Sequence, residues 1–205
     1  MARTPFRLFL TIAFLITLLS SLLPSGNVQA LTGPFDQAGL PSLEEFTMQV
    51  SNGQAGQLRG IYIPGVLAAP VVQQPEGMDD FVSPWQNIIT QFGLASRLGS
   101  TGLLAHNYLA GAAFGLLQEG QEIELVDGSG RISTFSVTEI LRYQALDSDN
   151  TATRFLDLEN RTSITSTDVF NKVYSRPGQV IFQTCIKKDG DPSWGRLFVI
   201  ASPVD

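Results

Sequence analysis

The chain has 205 residues, with 13 Lys and Arg against 19 Asp and Glu, one histidine and one cysteine, and a net charge of −6. Such an acidic balance excludes nucleic acid and anionic lipid surfaces as partners, because both demand a basic face. One cysteine excludes a disulfide framework, which uses cysteines in pairs.

Residues 1–30 read as an export segment. Arg3 and Arg7 form a small positive region ahead of Leu8–Leu23, an apolar run of sixteen. Pro24, Ser25 and Gly26 break that run, and Val28-Gln29-Ala30 supplies small or modest residues where a signal peptidase reads. Sixteen residues fall short of the roughly 20 a membrane span needs. The expectation is a cleaved signal peptide, with a retained N-terminal membrane anchor as the alternative, since tilt or local thinning accommodates a short span. Cleavage after Ala30 leaves 175 residues, enough for one domain with a core. It removes two positive charges and no negative ones, taking the net charge from −6 to −8.

Residues 31–55 are rich in Gly, Pro, Ser and Gln and are expected to be a spacer. It contains one short helix over Ser42–Val50, with Ser42 as cap and Glu44 and Glu45 in the first turn. From residue 56 to 205 the texture is that of one domain, short apolar runs punctuated by turns. Leu58–Ile63 and Val71–Gln74 read as strands around Pro64-Gly65, Trp85–Phe92 is mixed, and Gly102–His106 is a short strand. Ala112–Gln118 predicts a helical turn or two. Ile123–Val126 and Ile132–Ile140 flank Asp127-Gly128-Ser129-Gly130, a hairpin whose glycines are expected to supply positive φ. Residues 145–166 read as polar and irregular, Asp168–Tyr174 as a helix capped by Ser166 or Thr167, and Val180–Ile186 and Leu197–Ser202 as strands. Short strands with only short helices predict a mainly-β barrel or sandwich.

Three residues stand out as chemistry. Cys185 is the only thiol, His106 the only imidazole, and Arg196 follows the cysteine by 11 positions. Nucleophilic thiol catalysis needs a proton acceptor near the sulfur and a donor for the developing oxyanion. If Val180–Cys185 and Arg196–Ser202 are antiparallel neighbours, Cys185 and Arg196 face one another about 5 Å apart at Cβ. Arginine stays charged at any useful pH, so it binds an oxyanion but does not act as a base. Taken singly, a lone cysteine also reads as a small buried hydrophobe, a lone histidine as a structural residue and Arg196 as a solvated charge. Their coincidence at strand ends is what favours a site.

The chain also resembles a family, the sortases, extracytoplasmic cysteine transpeptidases. The resemblance spans about Leu58 to Val204: LRGIYIPGVLAAPVV, then TGLLAHNYLAGAAFGLLQEGQEIELVDGSGRISTFSVTEI, then IFQTC and GRLFVIA, with Cys185 lying 79 positions after His106. It implies a closed sortase-type barrel of about eight strands with a few short helices. By resemblance Cys185 is the nucleophile that forms a thioester, His106 the general acid/base and Arg196 the oxyanion or substrate holder. Thr184 matches the threonine before the family's cysteine and implies a place in the substrate groove, with Asn107 and Trp194 beside it; a turn aromatic on the surface remains the other reading of Trp194. The implied partners are a peptide or protein carrying a sorting signal and an amine acceptor, with no cofactor or metal and membrane contact only through an uncleaved N-terminal segment. The chain departs from the family's pattern at Ala105, where glycine is usual, and at Ile181-Phe182-Gln183 before Thr184-Cys185. These departures bear on the substrate more than on the reaction.

Asp147-Ser148-Asp149-Asn150, with Asp157 and Glu159, has the outline of a calcium loop, but Leu158 occupies the place of the bidentate glutamate, and a solvated acidic loop is expected. Three rivals stand beside this reading, the first of them opposed by the residues around Cys185. An L,D-transpeptidase places Ser-x-Gly-Cys with arginine beside the cysteine, unlike Gln-Thr-Cys-Ile-Lys here. A non-catalytic exported binding barrel, or a thiol peptidase that only hydrolyses, keeps the fold without the transfer.

Overall fold

Short strands bounded by turns must hide their edges, and ring closure is the complete way to do so. The computed structural model of the chain describes residues 39–204, so the expected export segment and the start of the spacer lie outside the described residues. Eight strands close into a barrel: β1 (Leu58–Ile63), β2 (Leu67–Gln73), β3 (Ile89–Phe92), β4 (Thr101–Leu104), β5 (Glu122–Asp127), β6 (Ile132–Ala145), β9 (Val180–Lys188) and β10 (Asp191–Pro203). Around the ring the order is β1-β2-β3-β4-β9-β10-β6-β5 and back to β1. Two further strands, β7 (Phe155–Asp157) and β8 (Ser163–Ile164), extend the edge of β6 beyond its pairing with β5. They fall in the stretch read as irregular, where their brevity left no pattern. Among the described residues only β2–β3 and β4–β9 are parallel.

The barrel interior is filled by Ile61, Ile63, Val71, Ile89, Leu103, Ile123, Phe182 and Val199, all at most 1% exposed. A 3-10 helix, Ala110–Leu116, plugs it with Phe114, whose ring meets Phe182 edge-on at 5.0 Å. A second apolar layer covers the outer face of β6, β9 and β10. There α3 (Ser166–Tyr174) lays Val169, Val173 and Tyr174 over Ile181, Phe198 and Ile200. Both faces of β9 and β10 are therefore buried, which explains the unbroken apolar runs Val180–Phe182 and Leu197–Ala201. The cap of α3 is Thr165, one residue before the pair expected. Its hydroxyl accepts from the Asp168 N–H (3.1 Å) and donates to the Asp168 carboxylate (2.6 Å). A shorter helix, α2 (Gly93–Arg97), follows β3.

Part of the segment read as spacer is packed on the barrel. In α1 (Leu43–Val50) Ser42 and Glu45 form a reciprocal capping box. Phe46 and Val50 bury against Tyr62, Ala68 and Val126. Gly60 permits this approach, since a Cβ there would lie 2.8 Å from the Phe46 ring. Among the described residues no helix is long and apolar enough to cross a membrane.

The β5–β6 turn corrects one expectation. Gly130 has φ +84°, but Gly128 does not need positive φ. It is glycine because a Cβ would strike Asn52 and Gln54 of the segment packed beside it. The turn is organised by Asp127, whose carboxylate accepts from the Ser129 hydroxyl (2.6 Å) and from the N–H groups of Gly56, Ser129 and Arg131 at 2.9–3.0 Å. The Ser129 hydroxyl, then the Gly56 N–H, hold its carboxyl far below the usual carboxylate range. A depressed folded pKa contributes stability above the unfolded value of about 3.9, lost as pH falls through and below it. Asp127→Asn therefore flattens the fall in melting temperature between about pH 4 and pH 2. Equal slopes for the variant and the wild type would contradict this account of the turn.

Candidate active site

Register does most of the assembly. In β4–β9 Leu104 pairs with Gln183, and the Ala105 N–H continues the ladder to the Gln183 carbonyl at 3.3 Å. Two residues further on, that register carries His106 alongside Cys185. On the other edge of β9 the ladder pairs Cys185 with Arg196 directly, as the hairpin reading expects. Side chains alternate along these strands. Leu104, Ile181, Phe198 and Ile200 lie in the outer layer, while Leu103, Phe182, Leu197 and Val199 lie inside the barrel. By the same alternation Cys185 on β9 and Arg196 on β10 share the outer face, neighbouring strands lying about 4.8 Å apart, and His106, two residues past the end of β4, falls on that face by the same count. The row runs on through Tyr143, opposite Arg196 on β6, to Asp157, opposite Tyr143 on β7.

The supports of the row are local. The His106 ring stacks on Tyr108 with centroids 5.2 Å apart and planes 16° from parallel. The His106 carbonyl accepts from the N–H groups of Leu109 (2.9 Å) and Gly111 (3.1 Å), closing the turn into the 3-10 helix. Asn107 Nδ2 donates to the Pro192 carbonyl at 2.9 Å, tying this loop to the start of β10. Thr184 points inward and is buried, its hydroxyl donating to the Ala105 carbonyl at 2.8 Å. Thr184 and Asn107 thus act as two clamps on the backbone that carries His106. Arg196 donates from Nη1 to the carbonyls of Ser193 (3.0 Å) and Gly195 (2.9 Å), leaving its other nitrogens free of those two bonds. Cys185 is half-buried and unbridged.

Gly111 sits where the clamp is tightest. A Cβ there would lie 2.6 Å from the Ala105 carbonyl oxygen and 2.7 Å from that of His106, with Thr184 Oγ1 closer still. Gly111→Ala is therefore expected to cost about 1–3 kcal/mol, as overpacking does, read as a lower denaturant midpoint. An unchanged midpoint would show that the turn yields freely.

Two cavities flank the row. The first, of about 510 Å³, lies on the outer face between α3 and the sheet and is lined by Phe92, Leu94, Phe170, Tyr174, Gln183 and Arg196 among others. The Tyr174 hydroxyl donates to Gln183 Oε1, and burial pushes the Tyr174 phenol well above its ordinary pKa, so it remains a donor. The second, of about 410 Å³, lies at the barrel mouth and is lined by Asn107, Thr184, Cys185 and Trp194, with Arg142 and Lys187. Trp194 therefore walls a cavity, with Lys188 Nζ 4.5 Å from its ring centroid.

The first cavity escaped sequence reasoning, because helix and strand contribute to it from distant parts of the chain. Its signal was Gln183, a polar residue two before Cys185 on the same face of an apolar strand. The Asp157 carboxylate accepts from the N–H groups of Glu159 (3.0 Å) and Asn160 (3.1 Å) and from Asn160 Nδ2 (3.3 Å). Burial pushes its carboxyl up, but the Asn160 and Glu159 donors and the Lys172 ammonium at 3.5 Å outweigh that and hold it below the usual range. The Lys172 pair also fastens α3, a wall of the first cavity, to β7. Among the described residues no cluster of three or more His, Cys, Asp or Glu is placed to hold a metal ion.

No protein-family model matches the chain. No curated protein matches it either. Solved structures to which it is similar include sortase C from Clostridium perfringens SM101, at 14% identity over 80% of this chain and 83% of that one, TM-score 0.44. Sortase C1 from Streptococcus suis is similar at 13% identity over 80% and 78%, TM-score 0.48. Sortase C-1 from Actinomyces oris is similar at 15% identity over 84% and 88%, TM-score 0.46. At these identities the likeness is one of fold.

Proposed function

We propose that this chain is an exported cysteine transpeptidase, which cleaves a sorting-type signal in a peptide or protein and transfers the acyl part to an amine. The observation that carries this reading is the Cys185–Arg196 cross-strand pair on β9 and β10, with His106 just past the end of β4, the strand that pairs with the other edge of β9. The sole thiol stands between the other two in that order, which supports an imidazole base on one side and a guanidinium donor on the other.

In the reaction, the Cys185 sulfur attacks the scissile carbonyl carbon while its proton passes to His106. The carbonyl oxygen takes up negative charge and is held by Arg196, whose planar fork suits an oxyanion. As the carbon–nitrogen bond breaks, His106 returns the proton to the leaving amine, and a thioester to Cys185 remains. An acceptor amine then attacks the thioester carbon, gives a proton to His106, and expels the Cys185 thiolate, which recovers that proton. Nothing is oxidised or reduced, and the residues named supply every proton. The first cavity, apolar apart from Gln183, Arg196 and hydroxyls, suits peptide residues on the acyl side of the scissile bond. Export of the chain rests on the character of residues 1–30.

Product analysis with a peptide library, with and without an added amine, tests this. Amine-linked product rising with amine concentration is the expected result. Hydrolysed product alone at every concentration would leave a thiol peptidase, and no cleavage would leave a binding barrel.

A further inference from the structure

The second cavity meets Cys185 away from the groove between α3 and the sheet. Leu158, Ile186, Leu197 and Trp194 give it an apolar wall, and Arg142 and Lys187 are the charged residues that line it. Neither cation has a carboxylate within ion-pairing distance among the described residues. An adjoining hollow shares Arg142 with Glu119, Asp157 and Glu159, but the Asp157 carboxylate is already taken up by Asn160, the Glu159 N–H and Lys172. In a chain of net charge −6, two such cations beside the sole thiol form a local field of opposite sign.

We propose that this cavity is the acceptor site, and that it takes a primary amine joined by an aliphatic stretch to a carboxylate. The assignment rests on the transpeptidase reading above. The acceptor must reach the thioester from a side the acyl chain leaves open, and the second cavity lies there. Its apolar wall suits methylene groups, with the amine at Cys185 and the carboxylate against Arg142 and Lys187. An acceptor bearing only ammonium charge would be repelled by the same pair.

The test uses the full chain and two small probes, 6-aminohexanoate and hexylamine, which differ by the carboxylate. Titration calorimetry into the Cys185→Ala chain reads binding without any turnover. The expected result is 6-aminohexanoate binding at least about tenfold more tightly than hexylamine, the difference disappearing in Arg142→Gln/Lys187→Gln, as loss of charge-assisted hydrogen bonds requires. In turnover, the wild-type chain prefers 6-aminohexanoate as acceptor by a similar factor. Equal binding of the two probes by the Cys185→Ala chain, or a preference that survives the double substitution, would overturn the proposal. If no peptide is cleaved, the transpeptidase reading fails while the calorimetry still decides the site, and the wild-type comparison of probes needs no substituted cation.

Discussion

Cys185→Ala is expected to abolish peptide cleavage and transfer, with a fall of about four to six orders of magnitude, down to whatever binding and Arg196 still provide. The size follows from the chemistry. In the proposed reaction a thioester divides one difficult substitution into two easier ones, and the sequence holds no other thiol to form it. The fold should barely notice, because Cys185 is half-buried and its neighbours on β9 and β10 hold the ladder through backbone groups. Cleavage by the variant within about tenfold of wild type would place the reaction elsewhere or attribute it to a contaminant. A melting temperature that collapses with the substitution would mean that the sulfur serves packing instead.

Arg196→Ala is expected to lower turnover by about 100- to 1,000-fold, the usual consequence of removing one oxyanion donor. Arg196→Lys should recover only part of this, since an ammonium lacks the planar fork and cannot both hold the carbonyls of Ser193 and Gly195 and reach the oxyanion. The loss should fall on kcat more than on KM, because the charge it meets develops only in the transition state. A change confined to KM would make Arg196 a substrate anchor in the first cavity, which it also lines.

Much of this arrangement was legible from local pattern. Ser42 with Glu45 announced α1, the Asp127–Gly130 cluster announced the β5–β6 turn, and the eleven-residue step from Cys185 to Arg196 announced a cross-strand pair. What stayed hidden needed long-range pairing. The parallel β4–β9 contact, which directs the chain after Leu104 toward the Cys185 end of β9, joins segments 79 positions apart, and nothing in either strand specifies its partner. The inward turn of Thr184 follows from counting parity along β9, yet parity has meaning only once the barrel interior is known. The groove under α3 is invisible for the same reason: Phe92, Tyr174 and Gln183 become neighbours only when helix and sheet pack. β7 and β8 are too short to carry a periodicity, so their acidic surroundings suggested a solvated loop where Asp157 instead organises a turn and pairs with Lys172.

The most direct test of the central claim is the alkylation rate of Cys185 against pH in the folded chain, for wild type, His106→Gln and Arg196→Ala. If the three residues share one site, the thiol reacts without denaturant and its pH profile moves in both variants. A thiol that reacts only after unfolding, or a profile indifferent to both substitutions, would contradict the account and leave Cys185 as a packing residue of the barrel.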